Sequence, residues 1–575
     1  MTVAPVLCAE GLTRRFATRG RQITALDQVD LTFGPGLTAL VGTDGAGKTT
    51  LLRLAAGLLR PDSGRLRVLN LDPLTEATAL HRRSGYMPQR FGLYRELGVI
   101  ENLRLYADLA GLPLARQPQR LTELLELAGL ERFRDRLAGH LSGGMQQKLA
   151  LICTLLREPE LLLLDEPTVG IDPVSRQELW HLFETLVHEH GLALVFSTAY
   201  MGEAGRSDHI AILHQGRVLA SDSPDRYKAS VRNRCVTVSA AGQNRRRLQR
   251  RLLRSPAVID AVIAGTDIRV VLRDGHSPRA PELDGVNLTP RMPRFEDAFV
   301  ALLDKAGAGG QPPALDDGTP PNTTDGEPVV TVSGLGRRFG DFEAVRDLGF
   351  EIRRGEIFGL LGANGAGKTT TFRMLCGLLP PTSGHLQVAG VDLRRAAAEA
   401  RARIGYVAQH FALYRNLSVR QNLRFFAGAY RLRGQHRRER MEWAAHTFDL
   451  ATVLDQDAGD LPLGYQQRLS LACALMHEPE ILFLDEPTSG VDPLARREFW
   501  SSINTLAERG VTVLITTHFL EEADYCDRLV IMADGGTLAA GTPAAVKCRA
   551  LPKADTPPSM EQAFIALVRS RKPAP

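Results

Sequence analysis

Long apolar runs are missing from this 575-residue chain. Purely aliphatic stretches such as Leu161–Leu164 are strand-sized, whereas a helix needs about 18 apolar residues to cross a bilayer. No membrane span is expected. Paired cysteines are missing too. The seven cysteines stand at 8, 153, 235, 376, 473, 526 and 548, with no CxxC among them. An odd, scattered set argues against a disulfide framework or a zinc site and predicts a reducing compartment. Charge of one sign is also scarce. Seventy basic and 65 acidic residues leave a net +5, too slight for the concentrated basic surface that nucleic acid demands. Met1-Thr-Val-Ala-Pro5 shows no basic segment ahead of an apolar core, so no secretion signal is expected. Apolar residues as such are plentiful at 44%, which excludes a mainly disordered chain. At roughly 150 residues per domain, the length predicts three to five units.

The chain repeats itself. Gly42-Thr-Asp-Gly-Ala-Gly-Lys-Thr-Thr50 returns as Gly362-Ala-Asn-Gly-Ala-Gly-Lys-Thr-Thr370, an offset of 320. Gly85-Tyr-Met-Pro-Gln89 and Gly405-Tyr-Val-Ala-Gln409 keep that offset of 320, as do Leu164-Asp-Glu-Pro-Thr168 and Leu484-Asp-Glu-Pro-Thr488. A constant register over more than a hundred residues means two homologous halves, since solenoid repeats are far shorter. Between them, Asp304–Pro328 holds ten Gly or Pro in 25 residues, and reads as a loose linker spanning about 28 Å. The halves differ in length, 302 residues against 247. The surplus lies near Tyr227–Arg291, where Cys235-Val-Thr-Val-Ser and Ile268-Arg-Val-Val-Leu alternate like strands around a basic helix, Asn244–Arg254. This is a small α+β appendage. Its arginines could meet anionic lipid or a partner protein, or form an ordinary solvated helix face. The expected division is 2–226, an appendage 227–303, the linker 304–328 and a second domain 329–575.

Gly42 to Thr49 fits G-x-x-x-x-G-K-[ST], the phosphate-binding loop, between a plausible strand, Leu37–Val41, and a helix start at Thr50. Gly42, Gly45 and Gly47 let backbone N–H groups wrap phosphates at a positive helix N-terminus, around Asp44. Lys48 reaches the β- and γ-phosphates, and Thr49 offers a hydroxyl to Mg²⁺. Gly362, Asn364, Gly365, Gly367, Lys368, Thr369 and Thr370 repeat the set. The second element is an apolar run that delivers a carboxylate to a strand end: Leu161–Leu164 then Asp165, and Ile481–Leu484 then Asp485. Both aspartates stand 117 residues after the loop lysine. Asp165 and Asp485 are expected to hold Mg²⁺ through water. Glu166 and Glu486, next in line, can orient or deprotonate an attacking water.

Between these elements stands Leu141-Ser-Gly-Gly-Met-Gln-Gln-Lys-Leu149. With the phosphate loop and Asp-Glu-Pro-Thr, it resembles the signature of ABC ATPases. The resemblance covers nearly the whole chain except the appendage and linker. It implies an α/β fold of two tandem P-loop NTPase domains, each with a mixed β-sheet core and a helical subdomain. In that family two such domains pair head to tail, each ATP lying between one phosphate loop and the other signature. It then implies that Ser142, Gly143 and Gly144 cap a γ-phosphate. Phe16 and Phe339 match the aromatic that stacks on adenine, and Gln89 and Gln409 the loop glutamine that touches Mg²⁺. Asp172 and Asp492 match an acidic residue at the pairing interface. His518, after Val511–Thr517, matches the switch histidine on the γ-phosphate.

Two departures matter. Phe196-Ser-Thr-Ala199 puts Ala199 where the first half should have that histidine, and the second signature reads Leu461-Pro-Leu-Gly464. Pro462 stands in place of Ser142 and has no N–H to donate. Head-to-tail pairing would put both defects at one site, that of Lys48, Glu166 and Ala199 with Pro462. The other, of Lys368, Glu486 and His518 with Ser142, is intact.

The segments after Gln89 and Gln409, the run Asp485–Pro493, and the terminal repeats Pro293–Phe299 and Pro558–Phe564 resemble ATP-binding subunits of ABC-2-type exporters. Such subunits bind ATP and Mg²⁺ and lie on the cytoplasmic face of the inner membrane. They drive two integral-membrane permease subunits, with a periplasmic adaptor as a further partner. Two other readings are a tandem ABC protein acting on ribosomes and the tandem ATPase of a sugar importer. The ribosomal one expects Asn-His-Leu-Asp where this chain has Val169-Gly-Ile-Asp172 and Ser489-Gly-Val-Asp492.

Overall fold

The computed structural model describes residues 4–18, 21–240, 243–276, 287–307, 328–409, 412–552 and 558–571. Most of the expected linker, 308–327, therefore lies outside the described residues. Two compact units emerge. One gathers the described residues of Met1–Asn233 and Met292–Gly309, the other those of Arg234–Arg291 and Gly310–Pro575.

In the first unit a six-stranded sheet runs Ser84–Met87, Leu161–Asp165, Ala193–Ser197, Leu37–Gly42, His209–His214, Arg217–Asp222. Its first five strands are parallel and the last is antiparallel. Parallel strands covered on both faces read as unbroken apolar runs. Leu161–Leu164 obeys that rule, all four side chains being fully buried. A second, antiparallel sheet orders Arg21–Phe33, Leu7–Thr18 and Ser63–Val68. The helix Lys48–Ala55 touches strands of both sheets, and its Leu51 and Leu54 share a core with Leu31, Leu40, Leu66 and Leu161. Phosphate-loop geometry is thus anchored from two sides. Three helices, Val99–Leu109, Gln117–Ala128 and Gly143–Thr154, pack on one another as the helical subdomain.

The second unit repeats this order: Ile404–Val407, Ile481–Asp485, Thr512–Thr517, Ile357–Gly362, Arg528–Ala533, Gly536–Gly541, with helices Val419–Ala429, Gly434–Thr447 and Leu463–Leu475. Each half is therefore a mixed sheet with helices, in the α/β class. The Pro-x-x-Glu-x-Ala-Phe repeats lie in helices Phe295–Lys305 and Met560–Arg571, where Phe299 and Phe564 are fully buried core residues. Phe295–Lys305 packs against Pro224–Ser230, with the Phe295 and Tyr227 rings 5.4 Å apart, so the chain returns to the first unit after the appendage.

The appendage is a four-stranded antiparallel sheet, Val258–Ala264, Asp267–Leu272, Cys235–Ser239, Leu288–Pro290, covered by helix Arg245–Leu253. Leu248 and Leu252 bury into its own core. Three of the helix arginines pair with carboxylates of this chain, and two of them are largely buried. Arg245 and Arg246 pair with Asp527, and Arg250 Nη1 lies 2.7 Å from Glu508 Oε2, all within the second unit. Their anionic partners are in the same chain.

Candidate functional site

Each phosphate loop is a turn that only glycine tolerates. Gly47 sits at φ 102°, and a Cβ there would stand 2.4 Å from the Ala25 carbonyl oxygen. Gly367 repeats this at φ 97°, with Ala344 O at 2.5 Å. The loop curls around its lysine. Lys48 Nζ donates to Gly42 O (2.9 Å) and Thr43 O (3.3 Å), Lys368 Nζ to Gly362 O (2.7 Å) and Ala363 O (3.0 Å). Both ammonium groups stay inside the loop where phosphate oxygens would sit. Asp44 and Asn364 lie in the turn before the helix, and Thr49, Thr50, Thr369 and Thr370 in its first turn.

The carboxylate strand arrives beside the loop. Thr49 Oγ1 donates to Asp165 Oδ1 at 3.1 Å. A hydroxyl on the neighbouring strand then ties aspartate to glutamate. Ser197 Oγ donates to Asp165 Oδ1 (2.7 Å) and accepts from the Glu166 N–H (2.9 Å). Thr516 does the same for Asp485 (2.6 Å) and Glu486 (2.9 Å). Glu166 and Glu486 both hold left-handed backbone, φ 50° and 46°. Non-glycine residues take that conformation at a cost of about 1–3 kcal/mol, and it concentrates at functional sites.

The two glutamates then part company. His518 Nδ1 lies 3.0 Å from Glu486 Oε2, and Gln409 Nε2 donates to the same oxygen at 2.8 Å. Burial pushes the Glu486 pKa up, but the hydrogen bond and charge of His518, with Lys368 and Gln409, outweigh it, and the net shift is downward. In the first unit Ala199 occupies the equivalent place, because Thr198 and Thr517 bond the corresponding buried glutamates Glu203 (2.8 Å) and Glu522 (2.7 Å). Ala199 offers Glu166 only its backbone N–H, at 3.2 Å. Burial therefore dominates and raises the Glu166 pKa to about 7, against the pull of Lys48.

The signatures differ as the residues require. Ser142 caps helix Gly143–Thr154, its Oγ accepting from Met145 N at 3.3 Å. Pro462 caps Leu463–Leu475 with no side-chain bond. Gly144 is held close to the next helix, and a Cβ on it would meet Ser175 Cβ at 2.2 Å, against 3.2 Å from Gly464 to Ala495. Gly144→Ala is therefore expected to cost about 1–3 kcal/mol, read as a lowered Tm, and Gly464→Ala less. Asp172 and Asp492 cap the helices Pro173–His188 and Pro493–Glu508.

Phe16 is partly exposed and Phe339 45% exposed, each with an arginine over its ring, Arg14 at 4.8 Å and Arg337 at 4.6 Å. Both rings have a face to offer a base. Gln89 is exposed after strand Ser84–Met87. Each unit thus brings loop lysine, aspartate and glutamate together. The sequence did not point to Ser197 and Thr516, nor to Asn102 and Asn422. Each buried asparagine pins the segment after the loop glutamine, Asn102 to Tyr94 N and O (2.9 and 3.0 Å), Asn422 to Tyr414 N and O (both 3.0 Å). Their recurrence at offset 320 was the available signal.

The model of the ABC transporter family matches residues 26–169 and 345–489. Over 568 residues the chain is 47% identical to the probable multidrug ABC transporter ATP-binding protein YbhF of Escherichia coli (strain K12), covering 98% of both. It is 44% identical over 214 residues to the daunorubicin resistance ATP-binding protein DrrA3 of Streptomyces coeruleorubidus, covering 37% of this chain and 68% of that one. It is 42% identical over 211 residues to the Nod factor export ATP-binding protein I of Burkholderia orbicola (strain AU 1054), covering 36% and 69%.

Proposed function

The chain belongs to the ABC transporter family as an ATP-binding protein with two ATPase domains, and from that premise we propose that it is the energy subunit of a multidrug-type, ABC-2 exporter. The near full-length likeness to the multidrug protein, with both halves in register, carries this reading. Its partners are two permease subunits, with a periplasmic adaptor beyond them, and its place is the cytoplasmic face of the inner membrane. Among the described residues no helix is long and apolar enough to cross a membrane. The division 2–226, 227–303, 304–328 and 329–575 belongs to the same proposal, although both ends of the second segment, through Asn233 and from Met292, group with the first unit.

ATP lies on the phosphate loops, with Phe16 and Phe339 against the bases. Thr49, Asp165 and Gln89 hold one Mg²⁺, and Thr369, Asp485 and Gln409 the other. The donor set fits a hard cation, being hydroxyl, carboxylate and amide oxygen. Burial also raises the Asp485 pKa, and a dication would supply the missing charge. In the family's head-to-tail pairing, Ser142, Gly143 and Gly144 complete the site of Lys368, Glu486 and His518. That site hydrolyses. The site of Lys48, Glu166 and Ala199, completed by Pro462, binds ATP and turns it over poorly. Lys48, Thr49 and Asp165 stand in place to hold nucleotide, while Glu166 has only the Ala199 N–H where Glu486 has an imidazole, which supports binding with little turnover.

Tagged chain purified from native membranes tests the transporter reading. Two polytopic membrane proteins are expected to co-purify in fixed ratio. Recovery of ribosomal proteins instead would contradict it.

A further inference from the structure

The appendage follows the first ATPase half in sequence but packs inside the second unit. Its helix Arg245–Leu253 lies against helix Pro493–Glu508, and its strand Val258–Ala264 against the 3₁₀ turn Leu520–Tyr525. Both grasped elements lead directly to ATP machinery. Asp492 caps the first, and the second starts two residues after His518, the partner of Glu486.

The grip is polar and largely buried. Arg245 Nη1 donates to Asp524 O (3.0 Å) and Gly265 O (3.1 Å). Its Nη2 donates to Cys526 O (2.6 Å), Tyr525 O (3.4 Å) and Asp527 Oδ1 (3.1 Å). Arg246 bonds the other oxygen of Asp527. That same oxygen accepts from Ile357 N (2.9 Å), at the start of the strand that ends in Gly362. In the first unit Asp208 serves the corresponding strand alike, accepting from Leu37 N at 2.8 Å. Deeper in the contact, Asn504 Nδ2 donates to Gln249 Oε1 (2.9 Å), and Arg497 lies 3.1 Å from Asp260, their side chains 13% and 10% exposed. Ile263 joins the core of Phe499, Trp500 and Tyr525.

We propose that Arg245 is a positioning residue for ATP hydrolysis in the second half, and that the appendage is a clamp on its switch segment. Carbonyls at a helical C-terminus carry partial negative charge and lack intrahelical partners. A planar guanidinium holds several of them in one rigid fork of five donors, whereas a lysine ammonium is a compact charge on a flexible stem with fewer donors and no fixed geometry. Tying off 524–526 fixes the far end of the turn whose near end presents His518 to Glu486. Small displacements of such a group cost rate more than binding. The inference rests on the reading that the second half hydrolyses.

The test uses the full chain, with Arg245→Lys, with Arg250→Glu, and with Arg250→Glu joined to Glu508→Arg. Steady-state ATP turnover and amide hydrogen exchange across 520–527 are measured on each. Arg245→Lys is expected to lower kcat about tenfold with the KM for ATP unchanged, and to speed exchange in that segment. Arg250→Glu should act in the same direction, and the reversed pair should recover the wild-type rate. This second pair keeps the test open if Arg245→Lys fails to fold. Faster exchange at wild-type kcat would make the appendage mere adhesive and overturn the proposal. So would unchanged exchange, or a KM effect alone. Glu486→Gln measured alongside separates the two levels, because full turnover in that variant overturns the reading of the second site rather than the clamp.

Discussion

Glu486→Gln is expected to lower ATP turnover by about a hundredfold or more, while Glu166→Gln leaves most of it. The substitution is nearly isosteric, so it tests the carboxylate and not the packing. Glu486 is buried, and its main chain is held at φ 46° by the bond from its N–H to Thr516 Oγ1. Glutamine keeps that backbone bond. It loses the negative oxygen on which His518 and Gln409 converge, and with it the capacity to take a proton from water. A positioned general base contributes about 10²–10⁴ in rate. Glu166 starts from a different state. Burial raises its pKa to about 7, and no imidazole orients it, Ala199 offering only its backbone N–H, so the site has little turnover to lose. Steady-state phosphate release from the two variants checks this, and equal losses would contradict it.

His518→Ala is expected to lower turnover by about a hundredfold and to change the pH profile of what remains. The first unit displays the consequence, since Ala199 stands where His518 stands and Glu166 rises to about 7. Without the imidazole, burial acts on Glu486 against Lys368 and Gln409 alone. The sign follows from the base form. A carboxylate with a depressed pKa stays ionised through the neutral range, and activity falls only toward acid pH. A raised pKa leaves the active form present above it and lost below it. Residual turnover in His518→Ala should therefore begin its acid-side fall at a higher pH than the wild type does. A profile of wild-type shape would contradict the account. The converse change, Ala199→His, should lower the Glu166 pKa.

Motif-bearing parts of the fold were legible in the residues. Leu161–Leu164 could only be a strand covered on both faces, and the glycines of Gly42–Gly47 only a phosphate turn. The 320-residue offset made each half a check on the other. Placing Ala199 opposite His518 was also legible, and Thr198 and Thr517 confirm the register through their bonds to Glu203 and Glu522. Less local features were not. Ser197 and Thr516 matter because a parallel neighbour strand sets them beside aspartate and glutamate, a pairing no short motif encodes. The arginines of 245–250 read as a solvated face because their partners are far away in sequence, Arg245 meeting Asp527 across 282 residues. Helical periodicity reports which side is polar and is silent on what that side touches.

The central claim is that one ATP site hydrolyses and the other holds its nucleotide. Nucleotide content of chain trapped with Mg-ATP and vanadate tests it most directly. The account predicts one ADP and one intact ATP per chain, with the ADP lost in Glu486→Gln and kept in Glu166→Gln. Two ADP per chain in the trapped wild type would contradict it.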